Sequence, residues 1–419
     1  MVRDGDTALG LSNLLDPAVW ADPYPFYHTL RSQAPIHWDE SAGPSQGGAW
    51  VLSRHADVLA VLRDARVSAA RLNRQVAVEA LPEEYRAAAQ QVFRAMPHQL
   101  LFLDPPDHTR LRGLVNKAFT PRLLEGMRPH IAALVEELLN AVAETEQMEV
   151  ISQLAYPLPA IVIAELLGVP PEDRDRFIRW SADFGAFLDS SNLTLEQAFQ
   201  ALAGVAEFMD YFRALVGARK TTPREDLLQA LLTAREREDV LSEDELLANL
   251  VLLLAAGHGT TTHLIGNGLL ALLHHPDQWQ RLVEDPSLVL TAVPELLRYD
   301  SPVQLTGRRV LQELAVGEQT IAPGEHVTVV LGAANRDPAQ FPEPDRLDVG
   351  RPENRVLSFG YGIHFCLGAP LARLEAEIVL TALLRRFPGL RSSPAALDAL
   401  EWERSIVFRG LKALPVELA

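Results

Sequence analysis

Cysteine is almost absent, with Cys366 the only one among 419 residues. One thiol cannot build an intramolecular disulfide framework or a zinc site of paired cysteines. Positive charge is also scarce, 38 Lys and Arg against 55 Asp and Glu, which leaves a net charge of -17. So acidic a surface does not seek polyanions, so neither nucleic acid nor a membrane is expected as a partner. Long apolar runs are missing too. The most apolar stretch, Leu246 to Gly257, contains Asn249 and falls short of the roughly 18 residues that span a bilayer. The first residues, MVRDGDTALGLSNLLDPAVW, lack the basic start and unbroken apolar core of a secretion signal. A soluble, cytoplasmic protein in a reducing compartment is expected.

What is present is ample core material, 48% hydrophobic residues with 22% charged, an ordinary globular mixture. The 25 Gly and 29 Pro are scattered, and no repeat, charge block or low-complexity tract marks a linker. A single domain over 1–419 is the expectation. Helical periodicity dominates from about Leu111 to Arg298, as in LVEELLNAVAE, PEDRDRFIRWSADF and TLEQAFQALAGVAEFMDYFRALV. Short strand patterns lie near the ends: APIHW and AWVLSR early, and TIAPGEHVTVVLG late, where Pro323 and Gly324 supply a turn between two β-branched runs. The fold class predicted is mainly α with small peripheral β-sheets.

One helix is unusually well specified. SEDE at Ser242 to Glu245 is a capping box, in which the serine accepts from an early backbone N–H and the glutamate returns a bond to the cap. The pattern runs on to the His274, His275, Pro276 stop, about 30 residues or ~45 Å. It is apolar nearly all round, as befits a helix crossing the middle of a large protein. Its centre, AAGHGTTTH, is locally weak: Gly257 and Gly259 each cost about 1 kcal/mol relative to Ala, and three β-branched threonines follow. Two readings stay open at this point. The glycines allow close helix packing, or a widened turn accepts a small ligand beside a threonine hydroxyl.

Around the lone cysteine, FGYGIHFCLGAPLARLEAEIVLTALLRRF is a glycine-rich loop running into an amphipathic helix with Pro370 in its first turn. A sulfur there meets the positive end of a helix and is favoured as thiolate. Gly362 and Gly368 let the backbone turn under the sulfur and approach a flat ligand, and Phe359 can shield it. With 15 Phe and 25 Gly in 419 residues, Phe seven before, Gly four before and Gly two after a cysteine has a chance of roughly 1 in 8,000.

FGYGIHFCLG resembles the haem-binding signature of the cytochrome P450 family, with Phe359, Gly362, His364, Cys366 and Gly368 at matching places. The resemblance extends over essentially the whole chain and is closest to the soluble bacterial members. It implies heme b (iron protoporphyrin IX) with Cys366 as axial ligand to the metal. Glu295 and Arg298 in PELLRYDSP match the family's Glu-x-x-Arg ion pair, and RDPAQFPEPDRLDVGR resembles the meander that follows it. His108 and Arg112, Arg308 and His364 match propionate-binding positions, while Arg309 on an extended segment points the other way. Ala256 falls beside the haem. AGHGTT resembles the oxygen-activation motif, with Thr260 its key threonine, Thr261 next to it, and Gly259 where the family usually has Asp or Glu.

The resemblance implies a monooxygenase that inserts one oxygen atom of O2 into a C–H bond of a mid-sized apolar metabolite, with electrons from a ferredoxin and its reductase. Gly259 keeps a peroxide-driven or oxidative-coupling enzyme as an alternative, and a non-catalytic haem ligand sensor or carrier is an alternative of another class. The missing acid leaves proton supply to water, to the substrate, or to a histidine such as His258 or His263, of which water and substrate are favoured. The substrate pocket is placed at Ala255, Val303, Gln304, Leu305 and Ile406, with the segments 66–102 and 184–199 around it. Arg110, Lys117 and Arg122 form a candidate basic patch for an acidic electron donor.

Overall fold

The computed structural model describes residues 9–43, 47–70, 78–188, 193–224, 226–234, 240–352 and 354–418. Parts of the two expected pocket segments, 71–77 and 189–192, lie outside the described residues. The chain forms two compact units, one of Met1–Ser68, Arg128–Tyr156 and Thr260–Ala419, the other of Ala69–Met127 and Pro157–Gly259.

The first unit holds all the described strands. Its five-stranded sheet runs in the order Ile36–Asp39, Ala49–Leu52, His326–Val330, Leu305–Val310, Val67–Ser68. Only the pairing of Ala49–Leu52 with His326–Val330 is parallel. Valines dominate because β-branched side chains suit a pleated surface, and alternation sends neighbours to opposite faces. Val327 and Val329 pack with Val58 and Val61 of the His55–Arg63 helix, whereas Val330 packs with Tyr27 and Leu30 on the other side. The expected turn at Pro323 and Gly324 is present, with Gly324 at φ +90, but the flanking runs are not partners. Gln319–Ile321 pairs with Leu314–Val316 in a separate ribbon, and His326–Val330 joins the large sheet. Pairing is decided by which neighbour each run finds across the core, which local sequence does not record.

The second unit is helical among its described residues. Phe177, Trp180, Phe208 and Phe212 form its aromatic centre between the Arg174–Leu188 and Leu195–Thr221 helices, with Trp180 stacked on Phe208 at 5.3 Å. Asn249, the polar interruption of the apolar run, is buried and fastens a neighbouring turn. It accepts from Leu100 N at 2.9 Å and donates to His98 O at 3.0 Å.

The long helix spans Glu243–His274, close to its predicted limits. Ser242 N donates to Glu245 Oε2 at 2.8 Å and Glu245 N to Ser242 Oγ at 3.3 Å, so both bonds of the capping box form. The helix continues unbroken through Gly257 to Thr262. No widened turn appears at its centre, a correction that follows from continuous backbone pairing on both sides of the glycines. Gly257 serves the packing reading, because a Cβ there would approach Ile163 Cγ1 to 3.3 Å. Gly259 does not, since a Cβ there meets no heavy atom within 4 Å. Among the described residues no helix is long and apolar enough to cross a membrane.

Candidate active site

Cys366 sits between a single 3-10 turn, Gly362–His364, and the Ala369–Arg386 helix. Backbone bonds tie the loop: Gly360 N donates to Leu357 O at 2.8 Å, Phe365 N to Gly362 O at 3.1 Å, and Cys366 N to Phe359 O at 3.0 Å. Two left-handed residues make this path possible, Gly360 at φ +69 and Gly362 at φ +73. At Gly362 a side chain is doubly excluded, because a Cβ would fall 2.7 Å from the Leu62 carbonyl oxygen. Gly368 has φ -80, an ordinary conformation for the residue before a helix, and a Cβ there meets no protein atom within 4 Å.

The cysteine is exposed, and so are the large side chains around it: Tyr361, Ile363 at 53% and Phe365 at 39%. Three of the eight exposed large apolar side chains among the described residues fall within five positions, Tyr361 to Phe365, so the loop presents an apolar floor with one sulfur in it. Phe359 lies under the loop, edge-on to Phe365 at 6.2 Å, with the Arg373 guanidinium 5.1 Å from its ring centre. Burial lowers the Arg373 pKa, while Glu377 and the Cys366 sulfur pull it back up. That coupling places a cation within electrostatic reach of the thiol, a residue the sequence pattern did not flag. A soft thiolate donor on an apolar floor fits the axial bond and flat face of an iron porphyrin.

The same unit carries Arg308, His364 and Thr260. Arg308 is buried on its strand opposite Val327 and donates to Gly307 O at 2.7 Å, while Arg309 alternates away opposite His326. His364 and Thr260 are half-buried, whereas Thr261 is 2% exposed. Thr261 therefore drops out of the accessible set: its side chain faces the core.

The other unit carries His108, Arg112, Ala255, Ala256 and Gly259. His108 and Arg112 share one face of the Asp107–Ala118 helix. Burial and the Arg112 cation hold His108 below the usual imidazole value, with Asp104 opposing. Ala256 is exposed although the helix around it is largely buried, and Ala255 is 9% exposed. His258 is buried with its Nδ1 3.1 Å from Ser181 Oγ, so it faces its own core. Arg110 is corrected: its guanidinium bonds Glu245 in a largely buried pair, leaving Lys117 and Arg122 as the exposed members of the expected basic patch.

Two expected pocket residues are committed elsewhere. Gln304 is 2% exposed; its Oε1 accepts from Tyr27 OH at 2.8 Å and its Nε2 donates to Ser301 O at 2.6 Å. Both ends of the amide are used to fix the chain, so it is a structural tie. Leu305 belongs to the core with Tyr27 and Val330. Val303 and Ile406 are half-buried and stay available as apolar surface.

Glu295 and Arg298 are wholly buried in the Val289–Tyr299 helix. Glu295 also accepts from Arg351 Nε at 3.0 Å, Asn354 Nδ2 at 2.9 Å and Asp348 N at 3.0 Å, and Arg298 donates to the carbonyls of Asn335 and Pro344 at 3.1 and 2.7 Å. The pair is thus the hub that pins residues 335–354, the segment leading to the cysteine loop. Arg351 and Asn354 were not legible beforehand, since polar residues 56 and 59 positions away carry no local spacing signal.

The family described as Cytochrome P450 matches residues 73–392. Cytochrome P450 CYP107DY1 of Priestia megaterium is 43% identical over 374 residues, 88% of this chain and 90% of that one. The 6-deoxyerythronolide B hydroxylase of Saccharopolyspora erythraea is 39% identical over 95% of this chain and 96% of its own. The crystal structure of the myxobacterial cytochrome P450 CYP267B1 in complex with myristic acid superposes with a TM-score of 0.85 at 42% identity, covering 97% of this chain and 99% of that one.

Proposed function

The chain belongs to the cytochrome P450 family, and on that premise we propose that it hydroxylates a mid-sized apolar metabolite with electrons from a ferredoxin and its reductase. It is a haem-binding monooxygenase, an oxidoreductase that takes a small-molecule substrate, O2 and redox partners. Bound haem supplies oxygen activation and C–H oxidation.

The observation that carries the assignment is the exposed Cys366 in its apolar loop at the start of a helix. Cys366 Sγ would bind the haem iron, favoured as thiolate by the helix start and by Arg373. Arg308 and His364 of the first unit, and separately His108 and Arg112 of the second, would supply the groups that propionates need, since cations must be provided locally in so acidic a protein. Thr260 hydrogen-bonds the water that delivers protons, and the open side of Gly259 admits that water in place of a carboxylate. Val303 and Ile406 offer apolar surface to the substrate. Support for its class comes from a relative named 6-deoxyerythronolide B hydroxylase and from a similar structure in complex with myristic acid.

Spectral titration of the loaded enzyme with fatty acids, steroids and macrolactones, followed by product analysis under O2 with a ferredoxin system, tests this. Tight binders that come back unmodified under both O2 and peroxide would overturn it. Gly259 specifically favours a second reading, peroxide-driven or coupling chemistry, which predicts peroxide turnover faster than reductase-driven turnover on the same substrate.

A further inference from the structure

Beyond Thr260 the long helix is fastened to a hairpin near the end of the chain. In that hairpin Trp402 bridges Leu411, Lys412 N donates to Glu401 O at 2.8 Å, and Glu403 N donates to Gly410 O at 2.9 Å. Its turn is tied as well, because Ser405 Oγ accepts from Val407 N at 3.2 Å and Phe408 N at 2.9 Å. One edge is bonded to the residues just ahead of the Leu305–Val310 strand: Arg409 N donates to Pro302 O at 2.9 Å, Gln304 N to Val407 O at 2.8 Å, and Val303 bridges Phe408. The helix holds the hairpin by two buried side chains, His263 and Asn267. Asn267 Nδ2 donates to Arg409 O at 2.9 Å.

The His263 ring lies against Gly410. A Cβ there would fall 1.8 Å from Nδ1, 2.2 Å from Cε1 and 2.5 Å from Cγ. Gly410 is not among the left-handed glycines, so its backbone conformation would accept a side chain. Space for the ring is what requires glycine here. The contact is packing and not an ion pair. Desolvation holds the His263 pKa at about 4, with Asp300 opposing, so the ring is neutral at neutral pH. Its Nε2 is 3.6 Å from Glu403 Oε2, beyond hydrogen-bond reach.

We propose that His263 is a positioning residue for the substrate: seated on Gly410, it sets how far the hairpin and its Ile406 stand from the helix that carries Thr260. The inference rests on the reading above in which Ile406 and Val303 face the substrate. Ile406 lies in the tied turn, and Val303 is bridged to Phe408, so a displacement at Gly410 is carried to both. Non-bonded heavy atoms settle at about 3.5–4.0 Å, so a methyl group at position 410 has to part from the ring by about 2 Å. That is more than one carbon–carbon bond, enough to present a neighbouring carbon of an apolar substrate.

The test uses the haem-loaded full chain with three probes: imidazole and phenylimidazole, which bind haem iron directly and differ in apolar bulk, and myristic acid as substrate. In His263→Ala and in Gly410→Ala the Kd of phenylimidazole is expected to change about fivefold or more, and that of imidazole less than about twofold. With myristic acid, KM should move more than kcat, and the distribution of hydroxylated carbons should shift. The double variant His263→Ala/Gly410→Ala, where the methyl group enters space the ring has left, should lie closer to the unaltered enzyme than Gly410→Ala does. A merely structural contact would move both azoles and the haem content together. That result, an unchanged ratio of the two azole affinities, or a double variant no closer than Gly410→Ala would overturn the proposal. If Gly410→Ala takes up no haem, His263→Ala, which only removes atoms, decides by the same ratio. Ile406→Ala keeps the two readings apart. If it leaves phenylimidazole binding unchanged, the pocket reading fails and the proposal with it; if it shifts that binding and His263→Ala does not, the proposal alone fails.

Discussion

Arg298 grips Glu295 with two parallel hydrogen bonds, Nε to Oε2 at 2.7 Å and Nη2 to Oε1 at 2.9 Å, in a site where neither side chain has any exposed surface. Burial raises the pKa of Glu295, but the bonds from Arg298, Asp348 N and Asn354 outweigh it and hold the carboxylate below its ordinary range. Removing one partner of such a pair strands the other charge, at a cost of about 3–5 kcal/mol. Arg298→Ala is therefore expected to lower the unfolding free energy measured in urea by that amount and to unfasten Asn335, Pro344 and Arg346, whose carbonyls it holds. An Arg298→Ala protein with unchanged stability and haem content would show that the hub is dispensable.

Cys366 contributes little to packing because it is exposed. Cys366→Ala should leave the stability of the haem-free chain within about 0.5 kcal/mol of the original. The absorbance of the reduced carbon monoxide complex should lose its thiolate-dependent position, which a simple titration spectrum records. Retention of that position in the variant would remove Cys366 from the metal.

The two left-handed glycines of the loop should respond unequally. Gly362→Ala combines φ +73 with a backbone oxygen 2.7 Å from the new Cβ, while Gly360→Ala combines φ +69 with a nearest atom at 3.8 Å. The first should cost about 1–3 kcal/mol beyond the left-handed penalty, and the second only that penalty of about 1–2 kcal/mol. Haem uptake per chain, measured for both, should fall further for Gly362→Ala.

Gly259→Glu is expected to be accepted without strain, since its Cβ meets nothing within 4 Å. Replacing a mid-helix glycine should even add about 0.5–1 kcal/mol of stability. The informative measurement is product formed per reductant consumed, which should rise. An unchanged ratio would mean that proton supply does not limit this enzyme.

His263 also makes stability depend on pH. Its pKa is about 4 in the fold against roughly 6.5 unfolded, so between those values the unfolded chain binds the extra proton. Its contribution is complete above pH ~6.5 and is lost as pH falls towards 4, about 3 kcal/mol in all. Urea unfolding at pH 7 and at pH 4.5 should show a smaller acid loss in His263→Gln than in the unaltered protein. Parallel losses would place the ring in solvent.

Much of this was legible in local pattern. The capping box fixed the start of the long helix to within a residue, because Ser242 and Glu245 satisfy each other's backbone groups without outside help. The cysteine loop was equally clear, since Gly362 must be glycine for a backbone reason. Gln304 was misjudged as pocket lining because nothing near it in the chain reveals that Tyr27, 277 positions away, takes its amide oxygen. Arg110 was misjudged for the same reason, its partner Glu245 lying on a distant helix.

By itself the sequence determined the chemistry on offer: one thiol at the head of a helix, a threonine after two glycines, and a Glu-x-x-Arg pair, each readable because its residues lie within a few positions of one another. Tertiary structure alone decided which charges are buried and joined. It brought Arg351 and Asn354 to Glu295, set Glu403 and Gly410 against His263, and withdrew Gln304 and Thr261 into the core. Those choices depend on contacts between residues far apart in the chain, whose energies arise only when packing excludes water from both partners at once.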